Sequence, residues 1–407
     1  MADTRSVAAL EAAGVLRVED GNHGEYRPRP HEFVAGGTPY IRAADMTSGT
    51  VDFTGAEGIN DEALLRIRKG IGREQDSLLS HKGTVGKVAY VPPGSPPFVC
   101  SPQTTFWRSL DHQKLDPVYL NIALRSRVIQ AQLDVMKSST DMAPYVSLTQ
   151  QRSLMLNVPP IGEQRAIAEV LGALDDKIAA NMRVVDIAGH LSDALFGAVV
   201  GTVPFGDLTF GSLGGVFGGG TPSSKTPEYW NGDIPWAAPT DITKLSGPYL
   251  FDTGRKITAA GLANCASRLY PAGSILMTSR ATIGAFALAQ IPVAVNQGFI
   301  VVVPQSRALG TWLFHEMRSR VEEFLTHANG ATFLELSRGN FKRLPVRLPS
   351  DEALEHFDTQ VRPLHEAAAA AMRENGRLAA TRDALLPALM SGALRVKDAE
   401  RLAEDLT

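Results

Sequence analysis

Only two cysteines occur in 407 residues, Cys100 and Cys265, one in each half of the chain and neither at metal-ligand spacing. Neither a disulfide framework nor a zinc site is therefore suggested, and both read as buried thiols. Long hydrophobic runs are missing too. No stretch of about eighteen apolar residues occurs, and MADTRSVAALEAAGVLRVEDG has no apolar signal core, so neither a membrane partner nor export is expected. The expectation is a soluble, cytoplasmic protein. An excess of one charge is also lacking, because 40 Lys and Arg face 43 Asp and Glu. A generic basic nucleic-acid binder is therefore disfavoured. The nine histidines show no HExxH or paired metal spacing. No nucleophile, base and orienting carboxylate can be assembled, so neither a catalytic nor a metal site is predicted.

What is present is length and repetition. The chain is too long for one ordinary core, and two or three domains are the prior. From Ile161 to Val199, apolar residues fall at Ile167, Leu171, Leu174, Ile178, Val185, Ala188 and Leu195, in steps that keep them on one helical stripe. Phe357, Val361, Leu364, Ala368, Ala371, Leu378, Leu385 and Leu389 repeat that register 190 positions later. Met182-Arg183 recurs as Met372-Arg373 and Asp193-Ala194-Leu195 as Asp383-Ala384-Leu385 at the same offset. Outer residues are not needed for a seam, so their recurrence indicates duplication. Each helix would be about 55 to 60 Å long. The polar seam residues Asn181, Ser192, Asn375 and Arg382 would fix register at some cost in stability.

The rest of the chain divides around these helices, with boundaries at 1–158, 159–203, 204–348 and 349–407. Ser6 to Ala13 reads as a short helix and Leu16 to Glu19 as the first strand. Short apolar runs at Tyr40–Arg42, Leu78–Ser80, Val85–Val91, Phe98–Cys100 and Thr104–Trp107 predict a largely β region. Helical spacing covers Leu115 to Met136, and Leu154–Leu156 is strand-like before Val158-Pro159-Pro160. The second unit repeats these landmarks. Pro235-Trp236 and Asp241 stand 196 after Pro39-Tyr40 and Asp45, and Ala281-Thr282-Ile283-Gly284 stands 198 after Gly83-Thr84-Val85-Gly86. The offset falls to 194 for Gln103 and Gln297 and to 188 for Tyr145 and Phe333. One scaffold with differing connections is what two domains with two ligands require.

Charge is unevenly spread. Gly201–Pro345 holds twelve Lys and Arg against nine Asp and Glu, while Pro160–Val200 holds three against six. A base-reading protein can carry a local basic cleft while a partner subunit supplies other phosphate contacts.

Several motifs carry candidate chemistry. Asp116-Pro117-Val118-Tyr119 is one substitution from the Asp/Asn-Pro-Pro-Tyr loop of amino methyltransferases. It lacks a glycine-rich turn after a buried strand, so it reads as a helix start. Gly83-Thr84-Val85-Gly86-Lys87 has the wrong spacing for a P-loop. Gly218-Gly219-Gly220-Thr221-Pro222 reads as a flexible loop, with backbone beside nucleic-acid phosphates as the alternative. Recognition chemistry is better supplied. His81, Lys82 and Thr84 in one unit, and Ser279, Arg280 and Thr282 in the other, are placed on loops directly after apolar strands. Arg and Lys can read guanine and Asn or Gln adenine, so Gln103, Asn296 and Gln297 join the candidates. Tyr145, Phe333, Tyr40 and Trp236 read first as core anchors, with base stacking as the alternative.

Pro159-Pro160-Ile161-Gly162-Glu163-Gln164-Arg165-Ala166-Ile167-Ala168 opens the first long helix, and Leu385-Leu386-Pro387-Ala388-Leu389-Met390-Ser391-Gly392 closes the second. Between them, Gly219-Gly220-Thr221-Pro222 runs on to Tyr229-Trp230-Asn231-Gly232-Asp233-Ile234-Pro235-Trp236. In this order and in duplicate, these stretches resemble the specificity subunit of type I restriction-modification enzymes over nearly the whole chain. The resemblance implies an α/β (α+β) fold. Two similar target recognition domains would be joined by two long antiparallel helices in a coiled-coil-like pair, as a pseudo-two-fold internal repeat.

It further implies a non-catalytic subunit that reads a bipartite double-stranded DNA target and docks two modification (methyltransferase) subunits and a restriction subunit. Glu163, Gln164, Arg165, Leu171, Ile178, Leu364, Leu385 and Leu389 mark the docking helices. No cofactor is expected in this chain, with S-adenosylmethionine, ATP and Mg on the partner subunits. The alternatives are a DNA adenine methyltransferase chain and a duplicated protein-interaction scaffold. Two departures stand out. Pro363 is expected to kink the distal helix or start it afresh, and Asp20-Gly21-Asn22-His23-Gly24 replaces the Gly-Thr-Pro opening in the first domain.

Overall fold

The first long segment is helical from Ile161 to Val200 and the second from Asp351 to Ser391. The computed structural model describes residues 3–47, 49–137, 143–213, 215–330, 334–394 and 398–399. Phe333 and residues 138–142 of the first unit's polar loop lie outside these. The chain forms two units, Met1–Lys177 with Arg377–Thr407, and Ile178–Gly376. No helix among the described residues is long and apolar enough to cross a membrane.

In the first unit, a six-stranded sheet runs in the order Leu16–Asp20, Thr104–Ser109, Ser77–Lys82, Thr84–Tyr90, Thr50–Val51, Met46–Thr47. A five-stranded sheet follows the order Phe33–Val34, Gly58–Ile59, Thr38–Ile41, Phe98–Cys100, Ile71–Gly72. Alternate residues of these strands point inward, and Ile41, Leu78, Ala89, Phe98, Cys100 and Phe106 make a shared core. Leu16–Asp20 is not the first strand. Asp3–Ser6 precedes it and pairs antiparallel with Met155–Val158, a partner too distant in sequence for local pattern to reveal. Leu115–Met136 holds two helices, Pro117–Arg125 and Arg127–Lys137, because Ser126 takes an extended conformation between them. Asp116 caps the first of these, accepting from the backbone N–H groups of Val118 and Tyr119 at 3.0 Å, with Pro117 in the first turn.

The second unit repeats the plan. Its larger sheet has the order Val216–Phe217, Phe299–Val302, Ile275–Arg280, Thr282–Ala289, Tyr249–Leu250, and a smaller one Arg255–Ile257, Trp230–Ala237, Ala294–Val295. Phe205–Thr209 pairs with Pro345–Arg347 as Asp3–Ser6 does with Met155–Val158. Tyr40 and Trp236 are both buried, as core anchors should be.

Each unit contains its own stretch of both long helices, running antiparallel. In the first, Arg382 Nη1 reaches Asp175 at 2.8 Å and Asn157 Nδ2 donates to the Met390 carbonyl at 2.7 Å. In the second, Asn181 Nδ2 donates to Asn375 Oδ1 at 2.9 Å and to Glu374 at 2.6 Å, while Asn375 Nδ2 donates to the Ile178 carbonyl at 3.2 Å. Satisfied amides at that level oppose any slip in register, because a shift would bury them unpaired. Ile167, Leu171, Leu174, Val185 and Ala188 are buried as the seam requires, but Leu195 is half-exposed and Phe196 takes the core position. An α-helix drifts against a seven-residue repeat, and by this point the stripe has moved on by one residue.

Pro363 does not restart the distal helix, which runs unbroken through it. Pro363 and Thr359, whose carbonyl loses its usual donor, both lie on the exposed face. Water can satisfy that carbonyl, while buried Phe357, Val361 and Ala368 hold the helix on either side. Cys100 is buried, but Cys265 is only half-buried, so the expectation of two buried thiols holds for one.

Candidate nucleic-acid interface

The same three segments meet at one end of the large sheet in each unit. In the first, Ser77–Lys82 and Thr84–Tyr90 form a hairpin turning at Gly83, with a register shift between Val85 and Val88. The His81 N–H donates to the Gln103 carbonyl, the Gly83 N–H to the Pro144 carbonyl and the Val146 N–H to the His81 carbonyl, each at 2.9 Å. In the second, the Ser279 N–H donates to Gly298 at 2.8 Å, the Ala281 N–H to Leu334 at 3.1 Å and the Leu336 N–H to Ser279 at 3.0 Å. Backbone signs match as well: φ is +77° at Gly83 and +59° at Ala281, and +96° at Gly86 and +87° at Gly284. Left-handed backbone at Ala281 is uncommon for a residue with a Cβ, and the hairpin imposes it because the copied turn requires it.

The side chains on this shared frame differ. Lys82, Thr84 and Gln103 are exposed, and Tyr145, expected in the core, is 37% exposed. Its ring lies 5.6 Å from that of His81 and 6.0 Å from Lys82 Nζ. At the second tip Arg280 and Thr282 are exposed, and Arg280 Nε lies 2.9 Å from Glu335 Oε1. Gln297 is exposed and accepts from the Thr221 hydroxyl at 2.5 Å, which draws the glycine-rich segment to the tip. Asn296 turns inward, accepting from the Gly298 N–H at 2.8 Å, so it shapes the turn.

None of the six residues expected on loops after the strands lies on one: Lys82, Thr84, Arg280 and Thr282 are strand-end residues flanking the turns, and the other two are hidden. His81 and Ser279 are buried within their strands, because the segments at Val146 and Leu336 cover them. His81 Nδ1 lies 3.0 Å from the Val146 carbonyl and so carries the proton, while Nε2 has no partner among the described residues. Burial holds its pKa below the ordinary histidine value, and the ring is a neutral support beneath Tyr145.

Gly218–Pro222 is not the flexible loop the glycines suggest. A Cβ on Gly219 would stand 2.1 Å from the Val295 carbonyl oxygen, so the backbone is packed flat against the neighbouring strand. Gly21, within the divergent Asp20–Gly24 opening, meets the Cys100 carbonyl oxygen at the same 2.1 Å. The two openings are therefore structurally equivalent despite their sequences. Beyond Gly21 lie exposed Arg27, Arg29 and Arg68, which pattern reasoning missed, although Arg27-Pro28-Arg29 was a usable signal. Arg68 sits 5.4 Å from the Tyr26 ring. Arg66 Nη2, 2.5 Å from buried Glu32, anchors this segment, and its hydrogen bonds bring the Glu32 carboxyl down to about 2.

The residues marking the docking helices also divide. Glu163 and Arg165 are exposed, whereas Gln164 is fully buried. Gln164 accepts from the Asp116 N–H at 2.9 Å and donates to the Lys114 and Pro159 carbonyls at 2.9 and 2.7 Å. It fastens the helix start to its own domain and has nothing left for a partner. Leu171, Leu385 and Leu389 are buried in the seam, and Ile178 and Leu364 partly so. Any docked partner must engage the outer faces, because the seam side is already filled.

A family described as the type I restriction modification DNA specificity domain matches residues 25–184 and 206–361. The chain is 37% identical over 149 residues to the MjaIX specificity subunit of Methanocaldococcus jannaschii, covering 36% of this chain and 34% of that protein. It is 30% identical over 173 residues to the EcoR124I/EcoR124II specificity subunit of Escherichia coli, covering 39% and 42%. These alignments thus span well under half of the relatives' length. A putative specificity subunit, MjaX of M. jannaschii, aligns over 390 residues, 89% of this chain and 88% of that one, at 19% identity. The crystal structure of an S subunit from M. genitalium superposes with a TM-score of 0.59 over 96% of both chains at 14% identity, a likeness of fold. With both repeats matched, the chain belongs to the type I restriction-modification DNA specificity family.

Proposed function

We propose that this chain is the sequence-reading, non-catalytic subunit of a type I restriction-modification complex. Each unit would read one half of a bipartite double-stranded DNA target. The observation that carries this is the pair of tips: one backbone arrangement, in which Gly298 takes the place of Gln103 and Glu335 that of Tyr145, presents Lys82, Thr84, Gln103 and Tyr145 in one unit and Arg280, Thr282, Glu335 and Gln297 in the other. A fixed frame with changed contents is suited to reading two different base sequences. Exposed Arg27, Arg29 and Arg68 supply phosphate contacts beside the first tip.

Two modification subunits would dock on the outer faces of the long helices, and a restriction subunit would join that core. S-adenosylmethionine, ATP and Mg would then be bound by those partners. A methyltransferase acting alone is disfavoured by Asp116-Pro117, whose carboxylate is committed to capping a helix.

The test is to replace residues 205–345 with the matching domain of a relative and map the methylated motif with partner subunits present. One half of the motif should change while the other stays. Change in both halves counts against independent reading units. Methyl transfer by the purified chain without partners would overturn the non-catalytic assignment, and partner complexes without sequence preference would favour a protein scaffold.

A further inference from the structure

In the second unit, four side chains from four elements form one hydrogen-bonded line that runs from buried Tyr249 and His315 and half-buried His365 out to exposed Asp193. Tyr249 Oη lies 2.6 Å from His365 Nδ1, His365 Nε2 lies 3.0 Å from His315 Nε2, and His315 Nδ1 lies 2.8 Å from Asp193 Oδ1. Asp193 belongs to the first long helix, His365 to the second, His315 to the helix Arg307–Arg318 and Tyr249 to the edge strand Tyr249–Leu250. The line therefore fastens the recognition domain to both long helices within this unit.

The proton order is determined at neutral pH. Ionised Asp193 can only accept, so His315 Nδ1 carries a proton and, in a neutral ring, Nε2 is a bare acceptor. His365 Nε2–H must then donate to it, leaving His365 Nδ1 to accept from the Tyr249 hydroxyl. One further proton can be held only by reversing the line, with His365 donating through Nδ1 to the Tyr249 oxygen, and protonating both rings sets N–H against N–H with two charges side by side.

The duplication supplies a control. The counterparts 190 positions away of His315, His365 and Asp193 are Arg125, Asp175 and Asp383. In the first unit these form an ion-pair joint: Arg125 Nη1 is 2.5 Å from Asp175, and Arg382 is 2.8 Å from both Asp175 and Asp383. The same joint is thus built once from groups whose ordinary values lie near neutrality and once from groups whose ordinary values do not.

We propose that the histidine joint of the second unit is a proton-sensitive latch, which holds the recognition domain to its helices at neutral pH and loosens in mild acid, while the first unit's joint does not respond.

Other charges at the joint act in both directions: Arg318 opposes protonation of the histidines and Asp193 favours it, with burial the largest influence on each. Arg318 Nη1 lies 3.1 Å from Asp193 Oδ1, and the cleft of about 710 Å³ that reaches Tyr249 and His365 is edged by Arg307, Arg362 and Arg373 against Glu366. That cleft gives protons access. Burial first, then neighbouring positive charge, holds His365 down to about 3, and burial holds His315 below its ordinary 6.5. Groups with depressed folded values stabilise fully above 6.5, and that stabilisation is lost as the pH falls below it, because the opened state takes up protons the closed state refuses.

Hydrogen–deuterium exchange on the full chain from about pH 7.5 to about pH 5, corrected for intrinsic rates, tests this. Protection of residues 307–318 should fall by up to about tenfold per pH unit for each proton excluded, while residues 117–125 keep theirs. The double variant His315→Arg with His365→Asp, which installs the first unit's chemistry, should abolish the response. His365→Gln, a milder change, should reduce its slope. An equal acid response in both segments, or an unchanged slope in His365→Gln, overturns the proposal.

Discussion

Arg280 Nε stands 2.9 Å from the Glu335 carboxylate, at the position where the first unit sets Lys82 against the ring of Tyr145. Both partners of this ion pair are over 40% exposed, so the pair itself contributes little to stability. Its importance lies in what it withholds. While Glu335 holds the guanidinium, Arg280 presents a partly neutralised face, and in the proposed interface a base edge or phosphate would have to compete with Glu335 to claim it.

Arg280→Ala should therefore weaken DNA binding by the assembled complex by about 1 to 3 kcal/mol. If Arg280 reads a base, discrimination at one position of the second half-site relaxes; if it holds phosphate, all sequences weaken alike. Glu335→Gln should raise affinity for non-target DNA and steepen its salt dependence by about one ion. Fluorescence titrations at several salt concentrations measure both. No change in either variant removes this tip from the interface.

Arg108→Leu should destabilise the first unit by about 3 to 5 kcal/mol, because it strands a buried carboxylate. Asp76 is fully buried, and Arg108 meets it through Nε at 2.7 Å and Nη2 at 2.6 Å. Urea unfolding followed in the first unit gives the figure. A loss within about 0.5 kcal/mol, as for an ordinary surface change, would show that water reaches Asp76 once Arg108 is gone.

Thiol titration should count one reactive cysteine in the native chain and two after denaturation. Burial pushes the Cys100 thiol far above its usual range, so it supplies no thiolate, whereas Cys265 is half-buried. Fast labelling of Cys100 would mean that the first unit's core opens readily.

Replacing both seam amides, Asn181→Leu with Asn375→Leu, should raise the melting temperature of the second unit, since apolar side chains of similar size avoid the cost of burying amides. The same change should loosen register. Cysteine pairs placed one helical turn out of alignment should then cross-link in the variant and not in the parent. Lower stability, or unchanged cross-linking, would show that the Asn181–Asn375 contact does not set the register.

Much of the architecture was legible because repetition removes ambiguity. Two stripes with one spacing, and two hairpins with matched glycines at Gly86 and Gly284, identify elements that either copy alone would leave open. Exposure was harder to read. His81 and Gln164 are polar residues at promising positions, yet loops and carbonyls remote in sequence bury them, and no local pattern encodes those contacts. Tyr145 erred the other way, because an aromatic at the end of a polar loop is core or surface depending on what covers it. The equivalence of Gly21 and Gly219 was hidden for a third reason. What the two share is a close backbone approach, and only glycine marks it while the neighbouring residues change. The joint at His315 and His365 lay beyond pattern reasoning altogether, since its members are brought together only by tertiary packing.

The backbone groups at each tip are already engaged by the adjoining turn and loop, so the outward side chains carry almost none of the frame's stability. Substitutions there are cheap in folding terms, of the order of about 0.5 kcal/mol. The tip is thus open to rapid divergence: under the proposed function, a lineage would acquire a new target by changing a few surface residues in one repeat, with no compensating change in the core and without disturbing what the other repeat recognises.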